Sequence, residues 1–458
     1  MDQITCRILV IGGGPGGYVC AIRAGQLGLD TVLVEEAALG GTCLTVGCIP
    51  SKALIHVAEE FHRLSQLTAA AVAGVRAGGA ALDLAATMGW KDGIVQQLSS
   101  GVSGLLRKAK VRVIQGRGEL RDGKTADVET AEGRVSIRCE TLIIATGSEP
   151  VALPHLNFGG DILSSTTALA LNAVPATLAV VGGGYIGLEL GMAYAKMGAK
   201  VSVVEAGPRI LSAWDAELTA PLRPALEALG ITVLTEAKAG AHAGKMLSVE
   251  HAGSVLKVPA EKVLVTVGRK PRSQANGIKG LQLDMAGPFL KIDAQCRTSM
   301  AGVYAIGDVT GEPMLAHRAM AQGEMVAELL AGHRKAWDRR AMPAVCFTDP
   351  AIVSVGLLPD QAPQGAKVAT FPFAANGKSL TAHRTDGFVR VVADPAGREI
   401  LGIQAVGAGV AECAGEFALA IEMGATLADV AATIHAHPTR GEAFHEASLR
   451  ALGRALHL

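Results

Sequence analysis

Aromatic residues are scarce in this chain: 458 residues include only three tryptophans, four tyrosines and nine phenylalanines. Net charge is missing as well. Forty-two basic and 42 acidic residues cancel, so no global field draws nucleic acid or an anionic membrane. No long hydrophobic run occurs either; the apolar stretches are strand-length and interrupted, and none reads as membrane-spanning. The N-terminus (MDQITCRILVIGGG) enters a strand directly, without a secretory or transit pattern. Eight scattered cysteines do not make the framework of a small secreted domain. The expected compartment is cytoplasmic, where a disulfide is more often catalytic than structural. What the chain does have is glycine, 56 of them, within a 49% hydrophobic composition. That is the profile of an α/β enzyme rich in tight βα turns. The length exceeds a single core and predicts about three domains.

One motif occurs twice. The apolar strand Ile8–Ile11 runs into Gly12, Gly14 and Gly17 at GxGxxG spacing, and a second strand, Thr31–Val34, ends at Glu35. Leu178–Val181 runs into Gly182, Gly184 and Gly187, and Val201–Val204 ends at Glu205. In both copies the acid lies 23 residues beyond the first glycine. A lone GxGxxG is weak; strand, glycines, helix, strand and acid at one repeated offset is a strong dinucleotide-binding signature. The first glycine permits the tight turn, the second the approach of a pyrophosphate, and the third close helix–sheet packing. The helix N-terminus offers its N–H groups to phosphate. The acid accepts ribose hydroxyls. At the second site a carboxylate suits a free 2′-hydroxyl and repels a 2′-phosphate, favouring NAD over NADP. Arg209 nearby reads as a solvated loop cation.

Just beyond the first unit lies GGTCLTVGCIPSK, Gly40 to Lys52, with Cys43 and Cys48 five residues apart. On a regular helix that spacing puts them more than about 7 Å apart along the axis. A disulfide needs Cα atoms roughly 4.4–6.8 Å apart. The pair can bridge only where the backbone leaves regular helix, and Gly47 and Pro50 allow that. A bare C-x4-C is more often two packed thiols. A position beside a nucleotide site favours redox chemistry.

Taken together these segments resemble the disulfide-reducing flavoproteins, the class I pyridine nucleotide-disulfide oxidoreductases, over essentially the whole chain. GGGPGG resembles their FAD site, GGTCLTVGCIPSK their redox-active disulfide, and ATGS (Ala145–Ser148, with Thr146 and Gly147) the close of their FAD domain. GGGYIGLELG (Gly182–Gly191) resembles the NAD site, and VGRKP (with Gly268) and VYAIGD (with Asp308) two further signatures. HAHPTRGE (His435–Glu442) resembles the catalytic-base motif. The resemblance implies FAD and NAD as cofactors, with Cys43 as the interchange thiol and Cys48 as the thiol against the flavin. It implies that Lys52 lies near the flavin and pairs with Glu189, and that Asp308 holds the ribityl chain. It assigns His437 as general base, oriented by Glu442. Histidine, with an unperturbed pKa near 6.5, suits proton transfer from a thiol. A carboxylate on its other nitrogen fixes the tautomer.

The members most similar in these motifs oxidise protein-bound dihydrolipoamide with NAD⁺ in 2-oxoacid dehydrogenase or glycine-cleavage complexes, and that activity is the expectation. The alternatives are a reductase of glutathione or of mercuric ion, and a redox-degenerate structural component of a multienzyme assembly. Thr45 stands where the family usually has asparagine, which predicts tuning of the site. His435, His437 and His445 match no familiar zinc spacing, so no metal is expected. The other six cysteines read as buried small residues. The fold class expected is α/β, with two Rossmann-like dinucleotide-binding domains and an α+β C-terminal dimerisation domain. The boundaries are 1–147 for the first FAD segment, with a helical insertion over 51–110 holding a loop at 69–81. They continue with 148–268 for NAD, 269–340 for the return segment and 341–458 for dimerisation. The resemblance implies a homodimer in which the His437 loop of one subunit completes the site of the other.

Overall fold

The computed structural model describes residues 2–69 and 73–458. Strand β1 (Asp2–Ile11) lies at the centre of the first sheet, parallel to β2 (Thr31–Glu35) on one side and to Gly133–Ile144 on the other. It is longer than its apolar core Ile8–Ile11 predicts, because Asp2–Cys6 pair with Val135–Cys139 beyond the reach of β2. Leu9 and Ile11 face one core with Val32, Val34, Leu142 and Ile144. Ile8 and Val10 face the other with Leu33 and Ile143. Burial on both faces is why these strands read as unbroken apolar runs.

Helix α1 (Pro15–Gln26) leaves β1 through the first glycine loop, with Pro at its first turn. The helical insertion is a pair of packed helices, α2 (Cys48–Ala69) and α3 (Leu84–Lys108), and residues 73–83 between them carry no helix. Residues 70–72 of the expected loop lie outside the described residues. Strand β3 (Arg112–Gln115) then adds beside β2. Strand Gly133–Ile144 is shared: its first half pairs antiparallel with Thr125–Thr130, its last residues parallel with Val303–Ala305. That late strand brings Asp308 to the carboxyl end of the first sheet, where ligands of open α/β sheets bind.

Between these strands the chain makes a second parallel sheet. Its order is Thr232–Leu234, Lys200–Val204, Thr177–Val181, Lys262–Val265, Ile162–Leu163, with a three-stranded antiparallel sheet beside it. Entry and exit run side by side as a ribbon, Ser148–Pro150 against Arg269–Pro271. The C-terminal part is a five-stranded antiparallel sheet whose helices Ala414–Glu422 and Glu442–Ala451 cover one face. The fold is therefore α/β with two nucleotide-binding-type units and a C-terminal α+β unit. No described helix is long and apolar enough to cross a membrane.

The other face of the C-terminal sheet packs on the second unit: Cys346, Ile352 and Val406 share a core with Leu188, Val203 and Leu218. Two ionic bridges cross the same boundary. Buried Lys196 lies 2.7 Å from Asp349 and 3.5 Å from Glu59, and Asp349 also accepts from Arg384. Burial raises the Asp349 carboxyl, but Lys196 and Arg384 outweigh it and hold the group below its ordinary value. Arg390, 2% exposed, donates to Gln404 and to Glu217, each at 2.8 Å. Removing one partner of such a pair leaves a charge in a poor solvent. Asp349→Ala should destabilise the protein by about 3 kcal/mol, the low end for a buried pair because Glu59 remains near Lys196. Chemical denaturation followed by fluorescence and circular dichroism checks it, and an unchanged midpoint would contradict the bridge.

Candidate active site

The two glycine loops have matching geometry. Gly12 turns the chain at φ +105° and Gly182 at +103°, conformations that side chains rarely adopt. A Cβ would stand 2.3 Å from the Ala145 carbonyl oxygen at the first position and 2.6 Å from that of Thr266 at the second. At Gly17 and Gly187 it would meet the preceding loop carbonyls, at 1.8 and 2.4 Å. These four glycines are required by the protein itself. Gly14 and Gly184 are not: their backbones are ordinary extended ones, and a Cβ would meet nothing closer than 3.8 Å at Gly14 and nothing within 4 Å at Gly184. Each stands as N-cap of its helix without a side-chain hydrogen bond. Space kept clear in front of free helix N–H groups fits a pyrophosphate. Both loops thus fit a dinucleotide.

The acids match too. Glu35 accepts the Gly13 amide at 2.5 Å and the Ala37 amide at 2.7 Å. Glu205 accepts Gly183 at 2.6 Å and Gly207 at 2.7 Å. Each carboxylate is pinned by its loop on one side and the next turn on the other, with lone pairs left for ribose hydroxyls. Arg209 is not the solvated cation expected. Its guanidinium donates to the carbonyls of Leu211, Ser212 and Trp214, between 2.7 and 3.1 Å, because three carbonyls of its own loop converge on it.

A cavity of about 380 Å³ opens in front of the first loop and takes in Glu35, Thr146, Gly147, Asp308 and both cysteines of the redox segment. That size is within the range of cofactor pockets. The backbone there departs from regular helix as the spacing requires. Thr42–Val46 form a π-helical turn, and α2 begins at Cys48. A π turn closes i to i+5, the separation of the two cysteines. Gly47 is needed because a Cβ would come 2.7 Å from the Thr42 carbonyl oxygen. Thr45 donates its hydroxyl to the Gly41 carbonyl at 2.8 Å, a local bond that tightens the turn.

Cys43 and Cys48 are free thiols in mutual side-chain contact. The hydrogen bond from Cys43, with the charge of Lys52, lowers Cys48 from 9.0 to about 7 against the cost of desolvation. The same hydrogen bond, then burial, pushes Cys43 far up. Cys48 also starts a helix, where a thiolate is favoured. The pair is polarised, with Cys48 as the thiolate and Cys43 as the donor.

Lys52, one turn further along α2, places Nζ 2.7 Å from Glu189 Oε2, on the helix Tyr185–Lys196. Glu189 is buried, and its other oxygen accepts the Phe347 amide at 2.9 Å. At the cavity's far side Asp308 accepts the Ser148 hydroxyl at 2.6 Å, and that hydroxyl accepts from Arg269 at 2.8 Å. Gly147 and Gly268 both have positive φ and adjoin the ribbon joining the two units.

His437 and Glu442 do not line this cavity. His437 Nδ1 lies 2.8 Å from Glu442 Oε1, and the ring is 79% exposed. Burial raises the Glu442 carboxyl, but the Thr439 amide, at 2.6 Å, and His437 bring it below its ordinary value. The ring is oriented through its Nδ1 contact with Glu442. His435 is held by Glu416 at 3.1 Å and the Thr433 carbonyl at 3.0 Å, and stacks on His445.

Sequence reasoning missed Tyr185, Ser148, Arg269 and Phe347. The first three adjoin motif residues, and adjacency was the available signal. Phe347 has none, since only the packing of the C-terminal sheet brings it here. Of the six cysteines expected to be buried, five are, while Cys413 is half-buried on the surface side of its helix turn.

The family model for pyridine nucleotide-disulphide oxidoreductases matches residues 6–323, and that for the dimerisation domain of the same family matches residues 342–448. The dihydrolipoyl dehydrogenase of Pseudomonas aeruginosa is 55% identical, with all of both chains covered. That of Geobacillus stearothermophilus is 43% identical over 99% of this chain and 98% of its own. Dihydrolipoyl dehydrogenase 2 of Haloarcula marismortui is 45% identical over 98% of each. Among solved structures, LpdA from Mycobacterium tuberculosis superposes with a TM-score of 0.88, at 24% identity and covering 98% of this chain and 99% of that one. The chain therefore belongs to the pyridine nucleotide-disulphide oxidoreductase family.

Proposed function

We propose that the protein oxidises protein-bound dihydrolipoyl groups with NAD⁺, through a Cys43–Cys48 disulfide and FAD. The observation that carries this reading is the placement of Cys43 and Cys48 across the π turn into α2, in one cavity with the first phosphate loop and Lys52. The 55% identity to a dihydrolipoyl dehydrogenase over the full length supports the choice of substrate.

The cofactors are FAD and NAD. Gly12, Gly14, Gly17 and Glu35 hold the FAD nucleotide, with Thr146, Gly147 and Asp308 along its length. Gly182, Gly184, Gly187, Glu205 and Gly268 serve NAD. FAD, when bound, accepts an electron pair from a thiolate and gives it to a nicotinamide. The domains divide as 1–147 and 269–340 around FAD, 148–268 for NAD and 341–458 for dimerisation.

One substrate thiolate attacks Cys43 in the disulfide, forming a mixed disulfide and releasing Cys48 as thiolate. That leaving group is stabilised by the N-terminus of α2 and by Lys52, and a low leaving-group pKa speeds exchange. Nε2 of His437 takes the proton of the second substrate thiol. The second thiolate then closes on the first sulfur and expels Cys43, which regains a proton. Two thiols become one disulfide, and the electron pair resides on Cys43 and Cys48. Glu442 holds the imidazole by Nδ1 and stabilises its charged form.

His437 does not line the cavity of its own chain, and the dimerisation domain allows a second copy to supply the base, so the site is complete only in a homodimer. Leu419, Met423 and Ile434, the last 97% exposed, give the C-terminal unit an apolar surface for that contact. The partners are lipoyl-bearing proteins of a 2-oxoacid dehydrogenase or glycine-cleavage complex, in the cytoplasm. The carboxylate of Glu205 repels a 2′-phosphate, and Arg209 is engaged by its own loop carbonyls and not offered to one.

FAD-loaded protein should oxidise dihydrolipoamide rapidly with NAD⁺ and only at background with NADP⁺ in parallel assays; inactivity of intact, flavin-bound protein would remove the substrate assignment. Cys48→Ser should abolish that turnover while dimer mass and FAD content stay unchanged. His437→Ala should lower kcat by about 10²-fold or more, the scale of a lost general base. In the reduced protein the Cys48 thiolate should form with a midpoint near pH 7, present above it and lost below, as read from the absorbance of a thiolate against flavin.

A further inference from the structure

We propose that Phe347, which follows the strand Ala344–Cys346 of the C-terminal sheet, is a positioning residue for the redox pair: it fixes Lys52 beside Cys48 by offering it a neutral π face. This rests on the reading of Cys43 and Cys48 as the reacting pair. The Lys52 ammonium lies 4.4 Å from the centroid of the Phe347 ring, within cation–π range. The Phe347 amide donates to Glu189 Oε1 at 2.9 Å, and Glu189 Oε2 takes Lys52 at 2.7 Å. One residue therefore grips both members of the ion pair, the acid by its backbone and the base by its ring.

The three side chains come from α2, from the helix of the second unit and from the C-terminal sheet, so their meeting reports how all three parts are docked. Phe347 is itself 36% exposed, and its chain neighbours anchor it. Cys346 before it is fully buried, and Thr348 after it donates to the Pro350 carbonyl at 2.8 Å. Asp349 is held by Lys196.

A neutral partner matters because of what faces Cys48: Cys43, Lys52, Glu189 and Tyr185. Lys52 and the Cys43 hydrogen bond favour the thiolate, while Glu189 opposes it. A second carboxylate in place of the ring would also restrain the lysine, but would add repulsion at the thiolate. The ring restrains the cation without that penalty. Lysine has a flexible four-carbon stem, and the Lys52 side chain is one-third exposed, so without the ring only the Glu189 bridge restrains it and its charge is held less closely to Cys48.

The test is a pH titration of thiolate-to-flavin absorbance in the reduced, FAD-loaded dimer. Phe347→Leu keeps the amide and apolar bulk but loses the π face. Its midpoint should rise by about 0.5–1 pH unit, a roughly threefold to tenfold fall in thiolate below the midpoint. The KM for NAD⁺ should stay unchanged, and Phe347→Tyr should restore the midpoint. An unshifted midpoint in Phe347→Leu with full FAD content overturns the proposal. If that variant loses FAD, a ring-difluorinated phenylalanine at position 347 keeps the shape and weakens the π face. A smaller rise then supports the proposal, and none overturns it. Parent protein without thiolate-to-flavin absorbance would overturn the redox-pair reading along with this one, a failure distinct from a flat response of the variant alone.

Discussion

The ion pair between Lys52 and Glu189 is the contact through which the chemistry of the site and the packing of the units constrain each other. Glu189 is almost wholly removed from water, and a buried carboxylate is costly unless paired and hydrogen-bonded. Both oxygens are satisfied, one by Lys52 and one by the Phe347 amide. Either partner alone would leave the acid short. The first unit, the second unit and the C-terminal sheet must therefore be docked in one arrangement for the site to be electrostatically closed. The bridges through Lys196 and Arg390 fix that same arrangement from the outside.

Against that frame the cysteine segment is a local departure with a specific purpose. A regular helix from Gly41 onward would place Cys43 and Cys48 out of reach of each other. The π turn brings them together, and ending it at Cys48 begins α2 with a thiol. One change of backbone thus supplies both the contact between the sulfurs and the helix terminus that stabilises one as thiolate. Lys52, one turn on, adds its charge from the same helix. The preference of Cys48 for the thiolate follows first from its hydrogen bond with Cys43 and then from the charge of Lys52.

The nucleotide loops illustrate a different economy. Four of their glycines are fixed by contacts within the protein, and a side chain there would break the fold. Gly14 and Gly184 meet no such contact, and the space they keep clear fits a ligand lying close to the backbone. The same loop, the same acid and the same pair of amide bonds serve two sites, and the neighbouring residues make the difference. Beside the first loop stand the cysteines and Asp308; beside the second, Arg209 is spent on its own loop.

Sequence by itself determined the repeated nucleotide units and the unusual backbone needed between Cys43 and Cys48. Those features depend on spacing, on residue volume and on periods of two or 3.6, which are local properties of the chain. Arg209 escaped that reading because its acceptors are backbone carbonyls, whose directions no residue type encodes. Phe347 escaped because 158 residues separate it from the Glu189 oxygen it binds. His437 is 79% exposed and lies outside the lining of the cavity that holds the cysteines. Tertiary structure decided which distant groups meet, because burial of charge selects among dockings that local sequence leaves equivalent.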